Sequence, residues 1–321
     1  MKFISFAFSI FLIVSCTPSL KELKVLHNKR VLVLGNSITQ NGAYVTYIEY
    51  YLRKSFPNEK LDIISIGLSS ETVNGASEAE HPFPRPCIHQ RLDSALSMVK
   101  PDLVMTCYGM NDGIFSNPDE ERLEAYKKGI YRLSEKVKGV GAELILMTPT
   151  LFDPDPKKED LTKEGEAHSF RHPYYKYNEV LDTYADWILS LREEGFLVID
   201  WHNYLKSILA KAKTLQGDST FMPDGVHPNY AGHFLMAKKV LLDLYPQIEM
   251  GEPYPTVDEL QDDSLFVWIQ KRRRLRSNAW LKYVGYVRKD TVKVDGMVEM
   301  ELKVKELDQK IALSIGAKKD I

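Results

Sequence analysis

Four short segments of this chain carry residue types that, brought together, could attack a carbonyl. They are Gly35-Asn36-Ser37-Ile38-Thr39, Gly67-Leu68-Ser69-Ser70, Gly109-Met110-Asn111-Asp112 and Asp224-Gly225-Val226-His227-Pro228-Asn229. A serine becomes a nucleophile when a histidine takes its proton, and an aspartate can hold that imidazole in the accepting tautomer. Ser37, His227 and Asp224 supply these three parts. Asn111 offers a side-chain N–H pair to a developing oxyanion, and Gly67 lets a backbone N–H approach closely because no Cβ intervenes. The chemistry these parts could perform is acyl transfer. No Cys/His spacing suggests zinc, and neither metal nor cofactor is expected.

Such parts need a scaffold that presents them together. Short apolar runs at 31–34, 61–66, 103–107, 144–147 and 196–199 are near-continuous Val, Ile and Leu, the pattern of strands buried on both faces of a parallel sheet. Between them lie amphipathic stripes such as Tyr44, Ile48, Tyr51 and Leu52, or Tyr126, Ile130, Leu133 and Val137. Further helices fit residues 175–191, 204–212 and 230–244. Five strands alternating with helices predict a doubly wound α/β sandwich with right-handed crossovers. In such a sheet ligands bind beyond the carboxyl ends of the strands, where three of the four segments fall; the fourth follows β-strand five and precedes the last helix. Two polar stretches, 71–86 and 152–173, are too long for plain connections, and loops of that length are usually functional or disordered. After Pro246 the rhythm stops. Thr256-Val257-Asp258-Glu259 matches a capping box opening a helix towards Arg276, and Val304, Leu307, Ile311 and Ile315 suggest a last helix. This mainly helical extension, residues 249–321, is expected to pack on the core.

The order and spacing of the four segments resemble those of the SGNH, or GDSL-like, hydrolases, and the resemblance covers residues 29–244. It implies a flavodoxin-like fold with a five-stranded parallel sheet and the activity of a serine esterase. It also implies Ser37 as nucleophile, His227 as base and Asp224 as orienting acid. The Ser37 backbone, Gly67 and Asn111 would form the oxyanion hole. The chain departs from the family pattern twice: Asn36 stands where Asp is usual, and Ser65 stands where Asn commonly precedes the glycine. The second glycine of the α/β-hydrolase elbow is absent, since Thr39 occupies its place.

The chain opens with Met1-Lys2 and an apolar run from Phe3 to Val14, too short to span a bilayer. Ile13-Val14-Ser15-Cys16 resembles a bacterial lipobox, which implies cleavage after residue 15, lipidation of Cys16 and a tether to residue 28. An exported, membrane-anchored lipoprotein is expected. The near-neutral balance, −2 over 321 residues, gives no footprint for nucleic acid. The one basic run, Lys271 to Arg276, reads as the solvated face of a helix. Cys87 and Cys107 read as packing thiols, Asp112 as structural and His233 as a packing or surface group. His168, Arg171 and His172 are candidate substrate contacts or solvated loop. The substrate expected is a small-molecule or glycan ester, with deacetylation of a carbohydrate leading. The alternatives are a lipid or lysophospholipid esterase and a non-catalytic glycan-binding module.

Overall fold

The structure, a computed structural model, describes residues 25–251, 255–292 and 296–317. The leader and Cys16 lie outside the described residues. Strands β1 (Arg30–Gly35), β2 (Asp62–Ser65), β3 (Leu103–Cys107), β4 (Glu143–Met147) and β5 (Leu197–Ile199) form one sheet. Their order is β2-β1-β3-β4-β5 and every pairing is parallel. The apolar runs are continuous because both faces are covered. In β1, Val31 and Val33 enter one core, while Leu32 and Leu34 enter the other. Helices α2 (Ala43–Ser55), α6 (Trp201–Leu215) and α7 (Tyr230–Leu244) fill the first layer. Helices α3 (Leu92–Val99), α4 (Glu120–Gly139) and α5 (Tyr177–Ser190) fill the second. From β1 the chain pairs first on one side with β2 and then on the other with β3. The switch point, and hence the crevice for a ligand, lies between the carboxyl ends of β1 and β3.

The extension beyond this sandwich holds α8 (Val257–Asp262), α9 (Ser264–Val284), α10 (Val298–Ala317) and a small hairpin of β6 (Val287–Arg288) and β7 (Asp290–Thr291). The capping box is present: Thr256 Oγ1 accepts from Glu259 N–H and the Glu259 carboxylate accepts from Thr256 N–H. The single helix expected towards Arg276 is two, because Asp263 ends α8 and its carboxylate takes the Leu265 and Phe266 N–H groups that open α9. The sequence reading has no hairpin here, since two-residue strands leave no periodicity to detect.

Two other expectations are corrected. The tether reading runs to residue 28, yet Leu26 is fully buried and its N–H donates to Tyr245 Oη at 2.8 Å, so the core begins before β1. The basic run is also solvated only in part, through the exposed Lys271 and Arg274. Arg272, Arg273 and Arg276 are buried against α2 and β2, where each finds an acceptor. Arg272 meets Glu49 at 3.5 Å and Asp308 at 2.6 Å, and Arg276 donates to Asp62 and to the Ile63 carbonyl. Burying three guanidinium groups requires such partners. They lie more than 200 residues away in sequence, apart from Asp308.

Cys87 and Cys107 are free thiols. His233, on α7, is buried and stacks on Tyr44 with ring centroids 6.1 Å apart. Burial, with the charges of Arg273 and His227 nearby, pushes its imidazole down to about 3. Between pH 3 and 6.5 the unfolded chain therefore binds a proton that the folded chain refuses, so stability falls as pH falls through this window. The expected loss from this group is about 1.4 kcal/mol per pH unit. Urea titrations at pH 7 and pH 5 check it. His233→Gln should flatten the pH slope by close to one proton, and an unchanged slope would assign the acid sensitivity elsewhere.

Candidate active site

Ser37 is the first residue of α1 (Ser37–Asn41), a five-residue helix turning off the carboxyl end of β1. Asn36 caps it, its side chain accepting from Ile38 N–H at 3.1 Å, so the amide serves the turn without the usual carboxylate charge. Ser65, the other departure from the family pattern, donates from Oγ to the Thr39 carbonyl at 3.2 Å and ties β2 to α1. At the far end of α1, Arg273 donates to the Asn41 carbonyl at 2.6 Å and fills the space beside Gly42. Gly42 has φ +63, and a Cβ there would lie 2.5 Å from the guanidinium. The extension thus braces the helix that carries Ser37.

His227 reaches Ser37 from a turn before α7. Ser37 Oγ and His227 Nε2 are 2.7 Å apart, and His227 Nδ1 and Asp224 Oδ2 are also 2.7 Å apart. Asp224 Oδ1 accepts from the backbone N–H groups of His227 and Val226 at 2.7 and 3.0 Å. Burial pushes this carboxyl up, but the side-chain and backbone bonds from His227 and that from Val226 outweigh it and hold Asp224 well below the usual carboxylate range. An ionised Asp224 only accepts, so Nδ1 carries the proton and Nε2 is left to accept from Ser37 Oγ–H. The turn is anchored from below: Asp153 N–H donates to the Gly225 carbonyl at 2.8 Å, and the buried Asp153 carboxylate accepts from Lys213 and Thr220, both at 2.6 Å.

Asn111 follows β3 and is buried, with Nδ2 donating to the Glu71 carbonyl at 3.1 Å. That bond orients the amide and uses one of its two hydrogens. Its neighbour Asp112 is structural, as expected. Its carboxylate accepts from the Val73, Asn74 and Gly109 N–H groups and staples the loop after β3 to the loop after β2.

Gly67 is where the structure departs from the expected oxyanion hole. Ile66 and Leu68 both donate to β1, so the N–H between them points to the other side of β2. A Cβ at Gly67 would lie 2.4 Å from Gln40 N and 2.7 Å from the Asn36 carbonyl. The glycine is required for close packing under α1 and does not line the cavity beside Ser37. Three residues on, Ser70 does line it. The Glu71 N–H to Leu68 carbonyl bond closes a turn with Ser70 at its third position, at φ +67. A non-glycine residue there is strained and persists only when its surroundings hold it. Ser70 Oγ–H donates to His81 Nε2 at 3.0 Å, and Arg85 donates to the Ser70 carbonyl at 3.4 Å. Burial, with Arg85 and Arg288 nearby, pushes His81 down, which keeps its ring neutral and able to accept. No described residue takes the Ser70 or Ser37 N–H. Because Ser70 occupies a turn position that favours glycine, its residue type carries no signal of this role.

These side chains open on a cavity of about 310 Å³. The two long loops wall it, with His81, Phe83 and Arg85 from the first and Lys157 and Phe170 from the second. His168, Arg171 and His172 do not reach it; His168 bonds to Thr162 at 2.7 Å within its own loop.

A parallel sandwich with a hydrogen-bonded Ser–His–Asp array at its switch point defines the class of SGNH-type hydrolases. The family comparison agrees: residues 33–235 match the GDSL-like Lipase/Acylhydrolase family, and the chain belongs to it. It is an esterase. The chain is similar to an acetylxylan esterase of Geobacillus stearothermophilus, 23% identical over 243 residues that cover 69% of this chain and 96% of that one. Among solved structures it is similar to an acetyl-xylooligosaccharide esterase from Geobacillus, with TM-score 0.51, 20% identity, and 73% and 99% of the two chains covered. It is also similar to a gut microbial diltiazem-metabolizing enzyme, with TM-score 0.52 and 21% identity. That likeness covers 68% of this chain, which spans about half of the other enzyme, 47%.

Proposed function

We propose that this esterase removes acetyl groups from a carbohydrate through an acyl-Ser37 intermediate. The observation that carries the reading is the unbroken chain Ser37 Oγ, His227, Asp224, at 2.7 Å per link, facing the free hydrogen of Asn111 across one cavity. Ser37 Oγ attacks the acyl carbon as His227 Nε2 takes its proton. The oxyanion receives the second Nδ2 hydrogen of Asn111 and the N–H groups of Ser37 and Ser70. Such donors act where charge develops and need no reorganisation at the moment of reaction. Collapse expels the sugar hydroxyl, which takes the proton from His227. A water then repeats the attack and releases acetate and Ser37.

Similarity to an acetylxylan esterase supports the acetyl and carbohydrate parts of the reading. The polar and aromatic cavity wall suits a sugar, whose faces stack on rings and whose edges hydrogen-bond. The expected result is acetate release from acetylated oligosaccharides, a preference for acetyl over octanoyl aryl esters, and covalent labelling by a fluorophosphonate. Octanoyl preference would favour a lipid substrate, and failure to label would leave a module that binds without cleaving.

A further inference from the structure

The hairpin of the extension places Arg288 on the wall of the cavity that holds Ser37. Its guanidinium lies over the Phe83 ring, 4.8 Å from the centroid, and no described carboxylate pairs with it. Two of the other charges around the cavity are engaged. Arg85 is held by two 2.6 Å bonds to the buried carboxylate of Glu78. Asp224 is the one carboxylate among the described lining residues, and it serves His227. The half-buried Lys157 meets the exposed Asp160 at 3.5 Å, a long contact that leaves most of its charge to the cavity. The wall therefore presents a net positive field from one unpaired guanidinium and one loosely paired ammonium, beside the aromatic faces of Phe83, Phe115 and Phe170. A guanidinium in a partly enclosed site is matched by a carboxylate, which it can bind through two parallel N–H bonds.

We infer that Arg288 selects an acyl sugar that carries a carboxylate, an acetylated uronic-acid residue, and that the extension is there to supply this cation. The inference rests on the carbohydrate-esterase reading above and names its substrate class. Arg288 acts here as a specificity residue for the bound sugar, remote from the acyl carbon.

The test compares three acetyl esters of one methyl hexoside scaffold: the neutral hexoside, the hexuronoside and the hexuronoside carboxamide. With the full chain, kcat/KM for the hexuronoside is expected to exceed that for the other two by about 10- to 100-fold, as charge-assisted bonds give. The advantage should shrink as salt is raised. Arg288→Gln should collapse the ratio of charged to neutral ester towards one, and Arg288→Lys should restore most of it. A merely structural Arg288, holding the hairpin on Phe83, would lower all three rates together and leave the ratio intact, which overturns the inference. Equal rates on all three esters with the unmodified protein overturn it as well, while leaving the esterase reading in place. If none of the three is cleaved and the fluorophosphonate fails to label, the esterase mechanism itself is lost and this inference with it.

Discussion

Ser37→Ala is expected to lower kcat by about 10⁶-fold while leaving the fold and substrate affinity nearly unchanged, because nucleophile and base act as a unit. The fold should survive because α1 is capped by the Asn36 side chain, braced at its far end by Arg273 and tied to β2 through Ser65. None of these bonds uses the Ser37 hydroxyl. Its one partner among the described residues is His227 Nε2, which in the variant is left facing the half-exposed mouth of the site, where water can replace it. The residual rate, about 10³–10⁴ above water, would come from the oxyanion donors and from binding. Initial rates on an aryl acetate, with thermal melting as the folding control, check the prediction. Turnover above a few per cent of the parent would remove Ser37 from its role.

Asp224→Asn is expected to cost about 10⁴-fold in kcat with a modest loss of stability. Asp224 does two jobs with two oxygens. Oδ1 closes the turn by accepting from Val226 and His227 N–H, and Oδ2 accepts from His227 Nδ1–H. An asparagine that keeps the first job presents its NH₂ to the ring. Nδ1 must then accept, the proton moves to Nε2, and that atom can no longer take the proton of Ser37. Because the bonds to Asp224 hold its carboxyl well below the usual carboxylate range and keep it ionised at neutral pH, its protonation should not shape the parent's pH profile above pH 4. In the folded state the stability from these bonds is fully present above the ordinary carboxylate pKa and is lost only as pH falls below it. A D224N variant that stays folded with less than tenfold loss of kcat would show that Asp224 does not set the tautomer.

The sequence determined the sheet, because strands buried on both faces must be apolar at every position, and β3 reads Leu-Val-Met-Thr-Cys with all five residues buried. It determined the helix layers through their period, α7 to the residue. It also pointed to Ser37, Asn111, Asp224 and His227 as one set, because their order and spacing resemble a family's, with Ser37 and Asn111 just after strands and Asp224 and His227 ahead of a helix. Local rules govern all of these, since periodicity, capping and turn position act within a few residues of the chain.

Only the tertiary structure decided which backbone segments line the cavity beside Ser37 and what the basic run is for. Gly67 and Ser70 lie three positions apart, yet the ladder to β1 turns the first away while a turn held by His81 and Arg85 brings the second to the cavity. Arg272, Arg273 and Arg276 read as a solvated face because partners such as Glu49, Thr46 and Asp62 stand beside them only after α9 has docked on α2 and β2. Arg288 reaches the site from the extension for the same reason. Hydrogen-bond direction and charge compensation depend on what lies within a few ångströms in space, and here the residues that meet are up to 232 positions apart along the chain.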